Sequence, residues 1–163
     1  MAGTVVGLFT AANQSEPMIA HERVNAVAGR GLEGDRYAAG LGYYSARPLP
    51  GGARELTLIE VEALDEIESE SGIRLTPRES RRNVATQGIR VHELIGKRFR
   101  LGQVLCEGVR DCPPCEHLEE LTAKQVMKPM ARRGGLRANI LEDGMISVGD
   151  QITVELERAE VAS

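Results

Sequence analysis

Arg98-Phe99-Arg100-Leu101-Gly102-Gln103-Val104-Leu105-Cys106 is the stretch that decides the fold class. Apolar and polar residues alternate up to Gly102-Gln103, and a second apolar-rich arm follows. Two alternating arms around a glycine and a polar residue are the pattern of a β-hairpin. Met145-Ile146-Ser147-Val148-Gly149-Asp150-Gln151-Ile152-Thr153-Val154 has the same design, with its turn at Gly149-Asp150. Both segments predict antiparallel sheet.

Working outward, Thr4–Phe9 reads as a first strand and Ala11–Pro17 as a loop. Arg23–Val27 alternates with the period of a half-buried strand and runs into a glycine-punctuated turn over 29–36. Residues 38–54 are rich in glycine and proline and predict a long loop, of the kind that often carries function. Leu56–Ile59 predicts a short buried strand. A helix follows, with Val61, Leu64 and Ile67 on one face and Gly72 as C-cap. Asn83–Thr86 and Arg137–Leu141 read as further strands. Residues 115–130 predict a second helix, with Leu118, Leu121, Met127 and Met130 on one side and Pro129 disturbing its last turn. Short strands at turn-punctuated spacing with few helices predict a mainly β fold, an antiparallel barrel or sandwich. Strands and helices do not alternate regularly, which argues against a doubly wound fold.

The chain of 163 residues has the size of one domain, large enough to bury a core without metal or disulfide staples. A formal net charge of -4, no Trp, two Phe and three Tyr exclude a broad nucleic-acid platform. No stretch has the apolar length of a membrane span, and the first nine residues lack the basic flank and apolar run of a signal peptide. Cys106, Cys112 and Cys115 lie within ten residues, unlike a secreted disulfide framework. These features predict a cytoplasmic protein with an available thiol.

Arg110-Asp111-Cys112-Pro113-Pro114-Cys115-Glu116-His117 is where chemistry concentrates. Two prolines stop sheet pairing, and proline suits the first turn of a helix. Cys115 is therefore expected at a helix start, where free N–H groups and the helix dipole favour a thiolate. Four readings compete: a buried structural cysteine, a Cys-x-x-Cys redox pair, half of a zinc site, or a single functional thiolate. Zinc lacks a second ligand pair, since only His21, His92 and His117 are spare. His21 and His92 read as surface or capping residues, and Cys106 as core. Arginines gather at Arg81-Arg82-Asn83, at Gly34-Asp35-Arg36 and at Arg132-Arg133-Gly134-Gly135-Leu136-Arg137. Guanidinium groups match phosphate bidentately, so an acidic protein with arginines at glycine turns predicts an anionic ligand.

Taken in order, five segments resemble the MOSC domain, the module named after the C-terminal part of molybdenum-cofactor sulfurase. They are 27–37 (Val-Ala-Gly-Arg-Gly-Leu-Glu-Gly-Asp-Arg-Tyr), 55–60, 81–88, 95–102 and 112–118, with 135–138 and 146–150 closing the match. The resemblance runs from about Val24 to Val154. It implies a distorted β-barrel like the small barrel domain of pyruvate kinase. It also implies a key cysteine, which falls on Cys115 rather than Cys112. In molybdenum-binding members that cysteine ligates the metal, and arginine and polar residues hold the pterin phosphate. By position this role falls on Arg81, Asn83 and Arg36, and the 132–137 turn places Arg132, Arg133 and Arg137 as further cofactor contacts. The resemblance thus implies molybdenum cofactor, reduction of N-hydroxylated small molecules and a separate electron-donor protein. It equally allows a Cys115 persulfide supplied by a pyridoxal-phosphate-dependent cysteine desulfurase. Thiol–disulfide exchange through Cys112 and Cys115 is a third expectation.

Overall fold

The computed structural model describes residues 2–43, 45 and 54–155. Much of the long loop expected over 38–54 therefore lies outside the described residues. Strand β1 (Ala2–Thr10) leads to β2 (Ile19–His21), β3 (Arg23–Val27), β4 (Gly31–Leu32) and β5 (Leu56–Glu60). Helix α1 (Val61–Ser71) joins β5 to β6 (Val84–Gln87), and one turn of 3-10 helix (Val91–Leu94) precedes β7 (Arg98–Leu101) and β8 (Val104–Asp111). Helix α2 (Glu116–Thr122), β9 (Leu136–Ile140), β10 (Gly144–Ser147) and β11 (Gln151–Val154) complete the described chain.

Seven strands close into a barrel in the order β11-β7-β8-β9-β5-β6-β1, with β1 pairing back onto β11. Closure leaves no free edge around the barrel. β2 extends β1 on one side, and β10-β3-β4 form a small second sheet. Val24, Ala26, Leu32 and Ile146 of that sheet join the barrel core of Leu58, Val84, Phe99, Leu101, Leu136 and Ile140. On the outside of β5, α1 and α2 bury Ile59, Leu64, Ile67, Leu75, Leu118, Val126 and Met130 in a second cluster.

The expected hairpin over 98–106 is present: Phe99 pairs with Cys106 and Leu101 with Val104. The resembling segment 145–154 is not a hairpin. Its first arm, β10, pairs with β3, and its second, β11, pairs with β7 and β1. The Ser147–Asp150 turn is gripped by β1 instead: Gly149 N donates to Val5 O, and Val5 N donates to Asp150 O. Alternation sets which side chains face inward but not which strand they pair with. The sheet is also mixed, because β5 and β6 run parallel. Helix α1 supplies the crossover that a parallel pair needs.

Helix α1 matches its sequence pattern. Leu64 and Ile67 are buried, and Gly72 ends it at φ 75° with its N–H on Glu68 O at 2.8 Å. Helix α2 is shorter than expected. Ala123 takes a left-handed φ of 56° and ends it, and Thr122 Oγ1 donates to Leu118 O at 2.9 Å while accepting from Lys124 N at 3.2 Å. The apolar spacing persists beyond the helix because turns over 126–131 still bury Val126 and Met130. Met127, expected on that face, is exposed.

Candidate functional site

The site begins with the loop between β8 and α2. Cys112 N donates to Gly135 O at 2.9 Å, which ties the loop to the start of β9. That approach is close: a Cβ on Gly134 would sit 2.2 Å from Cys112 O. Gly134 is therefore there for packing, which the expectation of an anionic ligand at this glycine turn did not capture. Pro113 and Pro114 carry the chain to Cys115, which is the extended residue capping α2 at φ -141° and ψ 167°. The Cys115 side chain makes no capping bond, is half-buried, and packs against the α1–α2 cluster.

Arg82 fixes this loop in place. It is buried, and its guanidinium donates to four carbonyls: Nε to Gly134 O at 2.7 Å, one terminal nitrogen to Ser80 O at 3.2 Å, and the other to Cys112 O at 2.9 Å and Pro113 O at 3.3 Å. Buried arginines are rare, so its adjacency to Arg81 was the only sequence signal for this role.

A recess of about 60 Å³ opens beside Cys115. Arg36, Tyr37, Thr57, Arg81, His117 and Arg137 line it, along with Cys112 and Arg82. Among the described residues no carboxylate lines it. Its edge meets a neighbouring recess of about 220 Å³ at Arg81 and Leu121. Arg36 is held by Asp35 Oδ1 at 2.8 Å and lies 4.9 Å over the Tyr37 ring. Arg81 adopts φ 61°, a conformation costly for a residue with a Cβ, and donates to Glu16 O. Burial and the charge of Arg36 push the Arg81 guanidinium down to about 10, with Tyr37 and Asp35 acting in the opposite sense. It remains a cation at neutral pH. The Arg137 side chain makes no ion pair or hydrogen bond among the described residues.

Asn83 sits one step behind. Its Oδ1 accepts from Thr57 N and Thr57 Oγ1, both at 3.1 Å, and its Nδ2 donates to Phe9 O at 3.1 Å. Its side chain thus positions Thr57 at the recess. Arg132 and Arg133 are not brought to Cys115. They line a separate cavity of about 550 Å³ with Glu60, Glu66, Arg90, His92 and Asp111, and Arg133 is paired with Glu66 and Glu70. Those carboxylates hold the Arg133 guanidinium above its ordinary range.

His117 and Tyr37 are recess residues to which sequence reasoning gave no binding role. His117 stacks on Tyr43 with centroids 3.7 Å apart, and its Nε2 lies 3.2 Å from Ser15 Oγ. Burial and the charge of Arg81 lower its pKa, against Glu120, with Arg36 adding to the lowering. The imidazole is therefore neutral at pH 7. Cys106 is core, as expected: burial, then Glu55, push its thiol up to about 12. His21, half-buried rather than at the surface, hydrogen-bonds the buried Thr10, and exposed His92 pairs with Asp111 at 2.9 Å. Among the described residues no three His, Cys, Asp or Glu side chains come together to hold a metal ion, so the ligands of a zinc site are not assembled there. No described helix is long and apolar enough to cross a membrane.

The sequence profile of the MOSC domain matches residues 44–153. The chain belongs to the MOSC domain family. The match covers most of the barrel together with α1, α2 and Cys115, and it leaves the 29–36 turn outside. The family is associated with molybdenum cofactor. Solved structures agree on this MOSC fold. YuaD from Bacillus subtilis aligns with a TM-score of 0.80 at 18% identity, covering 97% of this chain and 98% of that one. YiiM from Escherichia coli aligns with a TM-score of 0.69 at 19% identity, over 96% of this chain and 71% of its own. YiiM from Geobacillus stearothermophilus gives 0.65 at 14%, over 96% and 76%. No match was found among curated proteins.

Proposed function

We propose that this MOSC domain binds molybdenum cofactor through the Cys115 thiolate and reduces N-hydroxylated small molecules, with electrons from a separate donor protein. The observation that carries this reading is the donor set of the recess. A half-buried thiol shares it with the guanidinium groups of Arg36, Arg81 and Arg137, and no carboxylate lines it among the described residues. That set fits a phosphorylated pterin bearing a soft metal: thiolate suits the metal and guanidinium suits the phosphate.

Cys115 would be the metal ligand, and Arg36, Arg81 and Arg137 would hold the phosphate. When bound, the cofactor supplies a two-electron metal centre for removing the hydroxyl oxygen of the substrate as water. The chain's own contribution is positional. Arg82 holds the Cys112 and Pro113 carbonyls, and so fixes where Cys115 enters α2. Asn83 orients Thr57, which presents its side chain to the recess. Neutral His117, stacked on Tyr43, offers a ring nitrogen that holds or takes a proton at the recess wall. The test is reduction of an N-hydroxylated base by cofactor-loaded protein with a chemically reduced dye as donor. Wild type turns over and Cys115→Ala does not; equal rates in both would reject the assignment.

The small volume beside Cys115 favours a second reading. About 60 Å³ takes a single added sulfur readily. In that case Cys115 thiolate attacks the outer sulfur of a desulfurase persulfide, a Cys115 persulfide forms, and the partner cysteine leaves as its thiol. Incubation with a desulfurase, cysteine and pyridoxal phosphate would add one sulfur to the intact mass, absent in Cys115→Ala. No mass gain on wild type would dispose of it.

A further inference from the structure

We infer that the recess of about 220 Å³ beside Cys115 selects the ligand of this face, and that it takes an uncharged body about one ring in size whose reactive end meets the thiol. The inner and outer recesses are built as one site. Arg81 and Leu121 line both. Met18, in the wall of the outer recess, accepts from Arg36 of the inner one at 3.5 Å. Ser15 Oγ at the outer recess lies 3.2 Å from His117 Nε2 at the inner one. A molecule that occupies both therefore lies along Arg81 and Leu121.

The chemistry of the outer recess is apolar where it is free. Pro17, Met18 and Leu121 supply its apolar wall. Its polar groups are already engaged. Glu79 accepts from Lys124 Nζ at 2.8 Å and from Thr76 N at 3.1 Å, the Thr122 hydroxyl donates to Leu118 O at 2.9 Å, and Arg81 donates to Glu16 O. Arg78 is exposed, so its charge stays hydrated. Groups that already have partners gain little from a polar ligand, and apolar contact is what the recess has left to offer. Size points the same way. An apolar cavity of about 150 Å³ takes a benzene molecule. The inner recess, about 60 Å³, has room for a reactive group but not for a ring, whereas the outer one has room for a ring and its linker. Recognition is thus divided: Cys115 and the arginines meet the reactive end, and Leu121, Met18 and Pro17 select the body. The inference rests on reading Cys115 as the reactive group of this face, and it holds whether the thiol carries a metal or a sulfur.

The test is the rate of Cys115 alkylation in the purified chain by iodoacetamide and by N-phenyl iodoacetamide, followed by peptide mapping. The two reagents share a reacting group and differ by one ring. In both, the thiolate forms a bond to the reagent's methylene carbon and iodide leaves. Each rate is divided by the rate of the same reagent on the unfolded chain. Burial of the ring should make the phenyl reagent about ten-fold faster than iodoacetamide on this scale. Leu121→Trp fills the outer recess and Leu121→Lys charges it. Each should abolish the preference while leaving the iodoacetamide rate within about two-fold of wild type; whichever variant folds by circular dichroism decides. Equal normalised rates on wild type overturn the ring subsite alone. So does a preference that survives in a folded Leu121 variant, or a variant in which both reagents slow alike. Failure of iodoacetamide to label Cys115 at all overturns the available thiol as well, and this separates the two failures.

Discussion

Replacing Arg82 by methionine should both destabilise the barrel and loosen Cys115. The side chain is buried and donates to the carbonyls of Ser80, Cys112, Pro113 and Gly134. Two of these bonds, to Gly134 and Cys112, are shorter than 3.0 Å, and the other two are long. Charge-assisted hydrogen bonds contribute about 1.5–3 kcal/mol each. Two strong ones and two weak ones, less the desolvation of the guanidinium, leave a loss of about 3–5 kcal/mol for the methionine variant. For a chain of this size that is a fall in Tm of roughly 6–20 °C. Arg82→Lys keeps a charge but not the planar fork, so it should recover less than half of the loss. Thermal unfolding followed by circular dichroism measures the first effect, and the rate of Cys115 alkylation measures the second. Arg82→Met with a Tm within about 2 °C of wild type, and an unchanged alkylation rate, would refute the clamp.

Other outcomes follow from the same geometry. A thiol reagent should label Cys115 quickly and leave Cys106 untouched in the native state, since Cys106 is buried with its thiol pushed up to about 12; peptide mapping after brief labelling checks this. The depressed His117 pKa means that protonation is disfavoured in the fold. The stability this gives is present above the ordinary value of 6.5 and falls away as pH drops below it. Tm measured at pH 7.5 and pH 5 should therefore fall less in His117→Asn than in wild type. Arg110 on β8 pairs with Arg137 on β9, so Arg110→Gln, which removes one of two facing cations, should raise Tm slightly, by about 0.2–1 kcal/mol of stability. Cys112→Ser should retain molybdenum, because Cys115 rather than Cys112 is the proposed ligand, whereas disulfide chemistry would require Cys112; metal analysis of the variant decides.

The barrel was legible where alternation and turns sufficed, as in β7–β8, and the helix α1 face and its Gly72 cap were legible from spacing and residue type. What failed had a tertiary cause. The 145–154 segment alternates like a hairpin, yet β1 competes for its second arm and separates the two strands. Residues 123–130 keep helical spacing because they bury Val126 and Met130, although Ala123 has already ended α2. At the site, Cys115 was expected from the Cys-Pro-Pro-Cys segment and Arg81 from the family resemblance, and the two line one recess. The division of the 132–137 arginines did not: Arg137 alternates outward from a strand toward Cys115, while Arg133 is drawn by Glu66 and Glu70 of α1, and only the approach of α1 to the turn before β9 reveals which. Arg82 was concealed for a similar reason, since its partners are backbone carbonyls and carry no side-chain signature.

Molybdenum content per chain, in protein made in a cofactor-competent host, tests the proposed function most directly. The account predicts close to one molybdenum per wild-type chain and nearly none in Cys115→Ala that folds normally. A molybdenum-free wild type, made beside a control protein that loads, would contradict it, as would equal metal in the Cys115→Ala variant.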